Sequence, residues 1–188
     1  GIYEVSRLPG HPLQELIYSA CHSYGAVFFN LLTMLVSTLG ILSFVAMLKR
    51  FDVKNAYWSG AALAFTPIIY INSTNAMDYT WAMAFILMSG YFISKKNAVL
   101  AGLFLAMAVG CRITSGAMLI PYTFLILNIF PRHQKRKFLI RFISSLLVGS
   151  VIFYAPVIQK YGTGFFRYYE HFPIPGFAKN FYKGSIAV

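Results

Sequence analysis

YGAVFFNLLTMLVSTLGILSFVAMLKR, residues 24–50, is the stretch that decides the fold. The part before its last two residues contains no charged side chain, and at about 1.5 Å per residue a helix of that length crosses the ~30 Å hydrocarbon core of a bilayer. Lys49 and Arg50 then end the run with two positive charges. This pattern is typical of a transmembrane helix and predicts an integral membrane protein.

The rest of the chain repeats the pattern. Of its 188 residues, 58% are hydrophobic and 11% are charged, and the mean hydropathy is +0.63, values outside the usual range of soluble domains. The apolar residues fall in blocks separated by short polar clusters, at 24–48, 56–71, 79–93, 98–113, 115–130 and 138–158. We therefore predict an all-α, polytopic transmembrane helical bundle with about six hydrophobic helices.

Three regions follow from this division. Residues 1–23 predict an outer loop, stiffened by Pro9-Gly10 and Pro12, that enters a helix near Leu13. Residues 24–158 form the transmembrane region, with a kink expected at Pro67, and residues 159–188 an extracytoplasmic loop. Because the chain starts at Gly1 and stops where a new apolar stretch would begin, we expect a piece of a longer protein, truncated in that last loop.

The net charge of +11 reflects membrane orientation better than nucleic-acid binding, because the cations lie between the apolar blocks. No nucleic-acid partner is therefore expected. Alternating crossings place one group of cations on a common side, which the positive-inside rule makes cytoplasmic: Lys49, Arg50, Lys54, Lys95, Lys96, Arg132, Lys135, Arg136, Lys137 and Arg141. The acids sort oppositely, since only Asp52 falls on that side and the others face outward: Glu4, Glu15, Asp78 and Glu170.

The outer loop is the first candidate for chemistry. Glu4, Arg7, His11 and Glu15 lie in or just after a Pro- and Gly-containing segment that can aim its side chains. The alternative is an ordinary solvated loop with helix-entry residues.

Two residues further along are also candidates. Asp78 places a carboxylate at the outer end of a predicted helix, where it either carries chemistry or serves the helix N-terminus. Arg112 separates two short apolar blocks, and a cation in that position faces a cavity, an anion or a carboxylate, or else snorkels to the interface. The basic run 132–137 is interpreted as a topology determinant that touches anionic headgroups.

Several classes of site find no support in the sequence. Cys21 and Cys111 are isolated, without the spacing of a zinc site or a disulfide framework, and are interpreted as small apolar residues. The chain has no Walker A loop and no HExxH, GxSxG or EF-hand pattern.

Three short segments resemble the GT-C glycosyltransferases, in the branch of protein O-mannosyltransferases and aminoarabinose transferases. They are SRLPGHPL at 6–13, TNAMDY at 74–79, and LAGLFLAMA at 100–108, which precedes Arg112 and Gly116. The likeness covers most of the chain, with short and degenerate motifs. The family's first-loop acid is usually an Asp that follows a first helix, so the resemblance places the catalytic Asp upstream of Gly1, and Glu4 is the nearest acid present.

The resemblance implies transfer of a sugar from a polyprenyl-phosphate donor to an acceptor at the outer face of a membrane. It implies catalytic roles for Glu4 and Asp78, and substrate binding by Arg7, His11, Glu15 and Arg112. It leaves room for a divalent cation, and it leaves the acceptor open. The cytoplasmic membrane of a prokaryote is the expected location.

Three other functions stay open. A transporter or flippase would line a path through the bilayer with its charged residues. A polysaccharide polymerase would use arginines of a large outer loop, for which Arg167 and the run 168–171 are candidates. A structural membrane subunit would need none of these residues for activity.

Overall fold

The computed structural model describes residues 11–162, in which every regular element is helical and no strand occurs. Short 3-10 helices at His22–Tyr24 and Ile113–Met118 interrupt the α-helical elements. The α-helices are α1 Pro12–Cys21, α2 Gly25–Arg50, α3 Ala56–Ala64, α4 Pro67–Ser73, α5 Asp78–Ser94, α6 Ala98–Cys111, α7 Leu119–Ile129 and α8 Arg132–Tyr161. The predicted all-α class is confirmed for this part of the chain.

The second apolar block differs from its prediction. Instead of one kinked helix, it forms two helices, because Pro67 starts α4 and Thr66 before it has an extended ψ of 121°. A residue before proline avoids the helical conformation, and proline has no N–H to continue the ladder of the preceding turn. Pro67 therefore separates α3 from α4.

Two helical segments are long and apolar enough to cross a membrane: Pro12–Arg50, with 39 residues, and His133–Lys160, with 28 residues. The most apolar 18 residues of each have a mean hydropathy of 2.3 and 1.9, respectively. Only 17% and 28% of their most apolar stretches are buried within the protein. Large apolar side chains such as Leu42 and Val151 therefore point outward. The apolar helices Ala98–Cys111 and Ile113–Ile129 are shorter.

α2 and α5 lie side by side and run in the same direction. Near the start of both, Trp81 Nε1 donates to Thr33 Oγ1 at 2.9 Å, and at their ends Arg50 Nε donates to the Ser94 carbonyl oxygen at 3.2 Å. Two neighbouring helices that run the same way require the chain to return between them. The α3–α4 pair supplies this return.

α6 is the central helix, packed against α5 on one side and α8 on the other. Its contact with α8 depends on small residues: a Cβ on Gly102 would overlap Ser145 Oγ and the Phe142 carbonyl oxygen, and one on Gly149 would lie 2.6 Å from Ala106 Cβ. Small residues four apart let helix backbones approach closely, which is how helices associate in lipid. α6 and α8 are therefore parallel neighbours, with α7 as the return.

This arrangement gives the bundle two chemically different ends. We call one the site end; it contains the N-termini of α1 and α5 and the C-terminus of α6, with Asp78 and Arg112 in contact. We call the other the basic end; it contains the C-terminus of α2, the α5–α6 connection and the first turns of α8. Of the three acids in the described part of the chain, Asp78 and Glu15, which is in the first turn of α1, lie at the site end, and Asp52 lies in the turn after α2, at the basic end. This is the separation that alternating crossings predict.

Candidate active site

An ion pair between Asp78 and Arg112 forms the centre of the site end. Asp78 is the first residue of α5, and Arg112 follows the last residue of α6 with extended backbone angles of φ −150° and ψ 118°. Arg112 Nη1 donates to Asp78 Oδ2 at 2.8 Å. The two side chains are 29% and 15% exposed, so the pair is partly shielded yet open to a ligand.

Tyr79 completes the surroundings of the guanidinium. The Arg112 Cζ atom lies 3.8 Å from the centroid of the Tyr79 ring, within the range of a cation–π contact. The ring thus faces the cation that Asp78 contacts from another side. Arg112 is a permanent cation.

His11 approaches the same carboxylate from the start of α1. Its Nδ1 lies 2.6 Å from the Cys111 carbonyl oxygen and 3.6 Å from Asp78 Oδ2. Because a carbonyl oxygen only accepts, Nδ1 carries a proton, and in the neutral ring Nε2 is then the acceptor. The imidazole thus spans the gap between α6 and α5 with its Nε2 edge available to a ligand.

The first turn of α1 is held there by its packing on α6. Pro12 and Leu13 are buried, with Pro12 at the helix start, where a missing N–H costs nothing. Leu13 Cβ would lie 3.2 Å from a Cβ on Gly110, which is closer than ordinary contact. Gly110 therefore allows α1 to dock against the last turn of α6 and brings His11 to Cys111.

A group of polar and aromatic side chains near the ion pair connects three of the surrounding helices. Gln14 Nε2 donates to Tyr18 Oη at 2.6 Å, and Trp81 Nε1 donates to Thr33 Oγ1 at 2.9 Å. The rings of Tyr18 and Trp81 meet edge to face with centroids 6.2 Å apart. These contacts connect α1, α2 and α5 one turn below Asp78.

The structure brings together three of the six residues predicted for the site: His11, Asp78 and Arg112. Glu15 lies one turn further along α1, where its amide donates to the His11 carbonyl oxygen at 2.9 Å and its carboxylate interacts electrostatically with Tyr154 of α8. Glu4 and Arg7 lie outside the described residues. The functional roles of all six stay predictions.

Sequence reasoning missed two contributors, Tyr79 and the Cys111 carbonyl oxygen. Tyr79 directly follows Asp78 on the exposed first turn of α5, and that adjacency was the signal that could have found it. The role of the Cys111 carbonyl depends on where α6 ends, which residue types do not reveal. Cys111 itself is a buried free thiol, as expected of a small apolar residue.

The described residues do not support a metal centre. Across positions 11–162, no group of three or more His, Cys, Asp or Glu side chains is placed to hold a metal ion. At Asp78 the position next to Oδ2 is already taken by a guanidinium. Arg112, and His11 in its imidazolium form, are instead groups that donate hydrogen bonds to an anion.

Comparison of the chain with protein-family models, with curated proteins and with solved structures gave no match.

Proposed function

We propose that this chain belongs to a multi-pass membrane glycosyltransferase of the GT-C type, which moves a sugar from a polyprenyl-phosphate donor to an acceptor. The observation that supports this most is the meeting of His11, Asp78 and Arg112 at one end of the helical bundle. These residues are far apart in sequence, partly exposed, and gathered at the end opposite the basic loops. A carboxylate beside two side chains that can contact a phosphate suits a reaction in which a phosphate is the leaving group.

In the proposed topology the basic end faces the cytoplasm and the site end faces outward. Six crossings are formed by α2, the α3–α4 pair, α5, α6, the 3-10 helix with α7, and α8. α6 has 14 residues, which at 1.5 Å each is only about 21 Å, so its C-terminus and Arg112 lie below the outer membrane surface. The cytoplasmic membrane of a prokaryote is the location that we propose.

The proposed reaction is a displacement at the anomeric carbon of the donor sugar. The acceptor hydroxyl gives its proton to a carboxylate as its oxygen bonds to the anomeric carbon, and the bond from that carbon to the phosphate oxygen breaks. The electron pair of that bond leaves with the polyprenyl phosphate, whose negative charge increases. Cations that contact the phosphate stabilise this change more strongly than the ground state.

Arg112 is suited to the leaving phosphate. A guanidinium has five N–H donors, and the contact with Asp78 uses Nη1 alone. The Tyr79 ring covers one face of the guanidinium, so a phosphate approaches in the plane of the remaining donors. His11 can donate to the phosphate from Nε2 in its imidazolium form, in which both ring nitrogens carry a proton, and Arg7 is proposed to join them.

Asp78 is suited to orient the acceptor. Its Oδ2 atom is engaged by Arg112, whereas its Oδ1 atom makes no ion pair among the described residues. In this proposal Asp78 holds Arg112 and accepts a hydrogen bond from the acceptor hydroxyl. Glu4 is proposed to take the proton.

The placement of charge favours an enzyme over a transporter. In the described part of the chain, helices α3 to α7 contain no Asp, Glu, Lys, Arg or His apart from Asp78 at the first position of α5. A transporter of charged substrates would present such residues along a path between the two ends. In this bundle the charged residues lie at the site end and at the basic end.

The proposal is tested by sugar transfer from radiolabelled polyprenyl-phosphate sugars, with the whole protein in membranes. Arg112→Gln removes a charge at the site end, and Arg136→Gln removes the same charge from an exposed position at the basic end. We expect loss of transfer of 100-fold or more for Arg112→Gln, in the range of removing a transition-state contact, and little change for Arg136→Gln. Equal activity of both variants would refute the proposed site.

A further inference from the structure

A groove of about 720 Å³ opens at the basic end, between the α5–α6 connection and the first turns of α8. Five of its lining side chains are basic: Lys95, Lys96, His133, Lys137 and Arg141. Among the residues that the structure describes, no Asp or Glu lines it. The groove is therefore a concave surface of one sign of charge.

Two separate elements supply these cations. Lys137 and Arg141 are four residues apart and so share a face of α8. Lys96 has a positive φ of 60°, which turns the chain tightly between α5 and α6. Lys95 and Lys96 line the groove opposite the cations of α8. Like charges brought together from remote parts of a chain repel each other, so a bound anion would relieve an existing repulsion.

The rest of the lining consists of the polar residues Asn97 and Gln134 and the apolar residues Ala98, Val99, Phe130 and Phe138. The rings of Phe130 and Phe138 pack with centroids 4.3 Å apart and form a buried wall. Val99 is 48% exposed, and Leu103, one turn later on α6, is 37% exposed. An apolar strip thus leads from the cations along the outside of α6.

A free phosphate ion makes no use of such a strip, whereas a lipid does. We propose that this groove binds an anionic phospholipid of the leaflet on the basic side. Its phosphate contacts Lys95, Lys137 and Arg141, and an acyl chain lies along Val99 and Leu103. The site is separate from the proposed active site, which lies at the other end of α6.

The test compares two double variants of the whole protein, purified in detergent. Lys137→Gln/Arg141→Gln removes two charges from the groove, and Lys135→Gln/Arg136→Gln removes two from the same turns of α8 outside it. Native mass spectrometry measures the affinity of each variant for phosphatidylglycerol, with phosphatidylcholine as the neutral lipid. We expect the groove variant to bind phosphatidylglycerol at least tenfold more weakly than its control, since each cation at an anionic surface contributes about a factor of five.

Equal losses in the two double variants would overturn the proposal, because general electrostatic attraction would then explain the binding. Displacement of the lipid by inorganic phosphate at millimolar concentration would also overturn it, in favour of a free-anion site. If the groove variant does not fold, as judged by its gel-filtration profile without lipid, Lys95→Gln is compared with Lys54→Gln. Lys95→Gln removes a single cation, so we expect it to bind phosphatidylglycerol about fivefold more weakly than Lys54→Gln.

Discussion

Arg112 and Asp78, which are 34 residues apart in the chain, form an ion pair with an Nη1–Oδ2 distance of 2.8 Å. The pair joins the C-terminus of α6 to the N-terminus of α5, where a carboxylate also suits the positive end of the helix dipole. It therefore has both a structural and a proposed functional role. The two roles are separable by experiment.

The structural role predicts energetic coupling between the two side chains. In a double-mutant cycle with Asp78→Asn and Arg112→Gln, we expect a coupling free energy of about 1 kcal/mol, since the pair is partly solvent-exposed. Thermal unfolding in detergent measures it. Additive effects of the two substitutions would show that the pair adds nothing to stability.

The packing of α6 on α8 predicts a strong effect at Gly102. Gly102→Ala places a methyl group against Ser145 Oγ and the Phe142 backbone carbonyl, which cannot move away without separating the helices. We expect a loss of about 1–3 kcal/mol, typical of overpacking. Gly116→Ala is the control, because a Cβ there meets Val109 Cγ2 at an ordinary 3.8 Å. Thermal unfolding that ranks Gly116→Ala as the more damaging change would contradict the helix contact.

The two tryptophans of the chain are expected to differ sharply. Trp81 is 2% exposed and donates to Thr33, whereas Trp58 is 78% exposed. Trp81→Phe removes a buried hydrogen bond and leaves a void, so we expect a loss of about 1–3 kcal/mol. For Trp58→Phe we expect a change within about 0.5 kcal/mol. Similar unfolding temperatures for both variants would show that Trp81 does not link α2 to α5.

Tyr79 is expected to act through its ring. Tyr79→Phe keeps the aromatic face over Arg112, whereas Tyr79→Leu removes it. A cation–π contact at an exposed site contributes about 0.5–1 kcal/mol. We therefore expect Tyr79→Leu to raise the KM for the polyprenyl-phosphate donor about two- to fivefold. Tyr79→Phe should stay close to the wild type. If Tyr79→Phe has the larger effect, the hydroxyl rather than the ring is the active part.

Much of the helical pattern is predictable because apolar blocks and polar clusters alternate so clearly. Asp78 opens α5 and Lys95 follows its end as the charges suggest, and Pro67 interrupts the second block. The sequence predicts a kink at Pro67, whereas the structure has a break between α3 and α4. A kink and a break give the same apolar pattern, so the sequence does not distinguish them. The apolar residues of α2 and α8 do not follow a helical period. The sequence therefore does not predict which face of each helix packs against its neighbours.

The site was only partly predictable, for a different physical reason. Charges in an apolar chain are few and conspicuous, so Asp78 and Arg112 stand out as candidates. Their contact depends on the antiparallel packing of α5 against α6 and on α6 ending at Cys111, and residue types alone do not reveal where α6 ends. The position of His11 depends on Gly110, whose missing side chain admits Leu13. Such tertiary contacts are absent from any single segment.

The most direct test of the central claim is sugar transfer by Asp78→Asn and Asp52→Asn, assayed side by side in membranes with labelled polyprenyl-phosphate donors. Each change removes one carboxylate charge, at the site end and the basic end respectively, and asparagine tolerates the positive φ of 56° at position 52. We predict that Asp78→Asn lowers the transfer rate by about 100-fold or more, at equal protein level, while Asp52→Asn stays within twofold of the wild type. Unchanged transfer by Asp78→Asn, or an equal loss in both variants, would contradict the proposed active site.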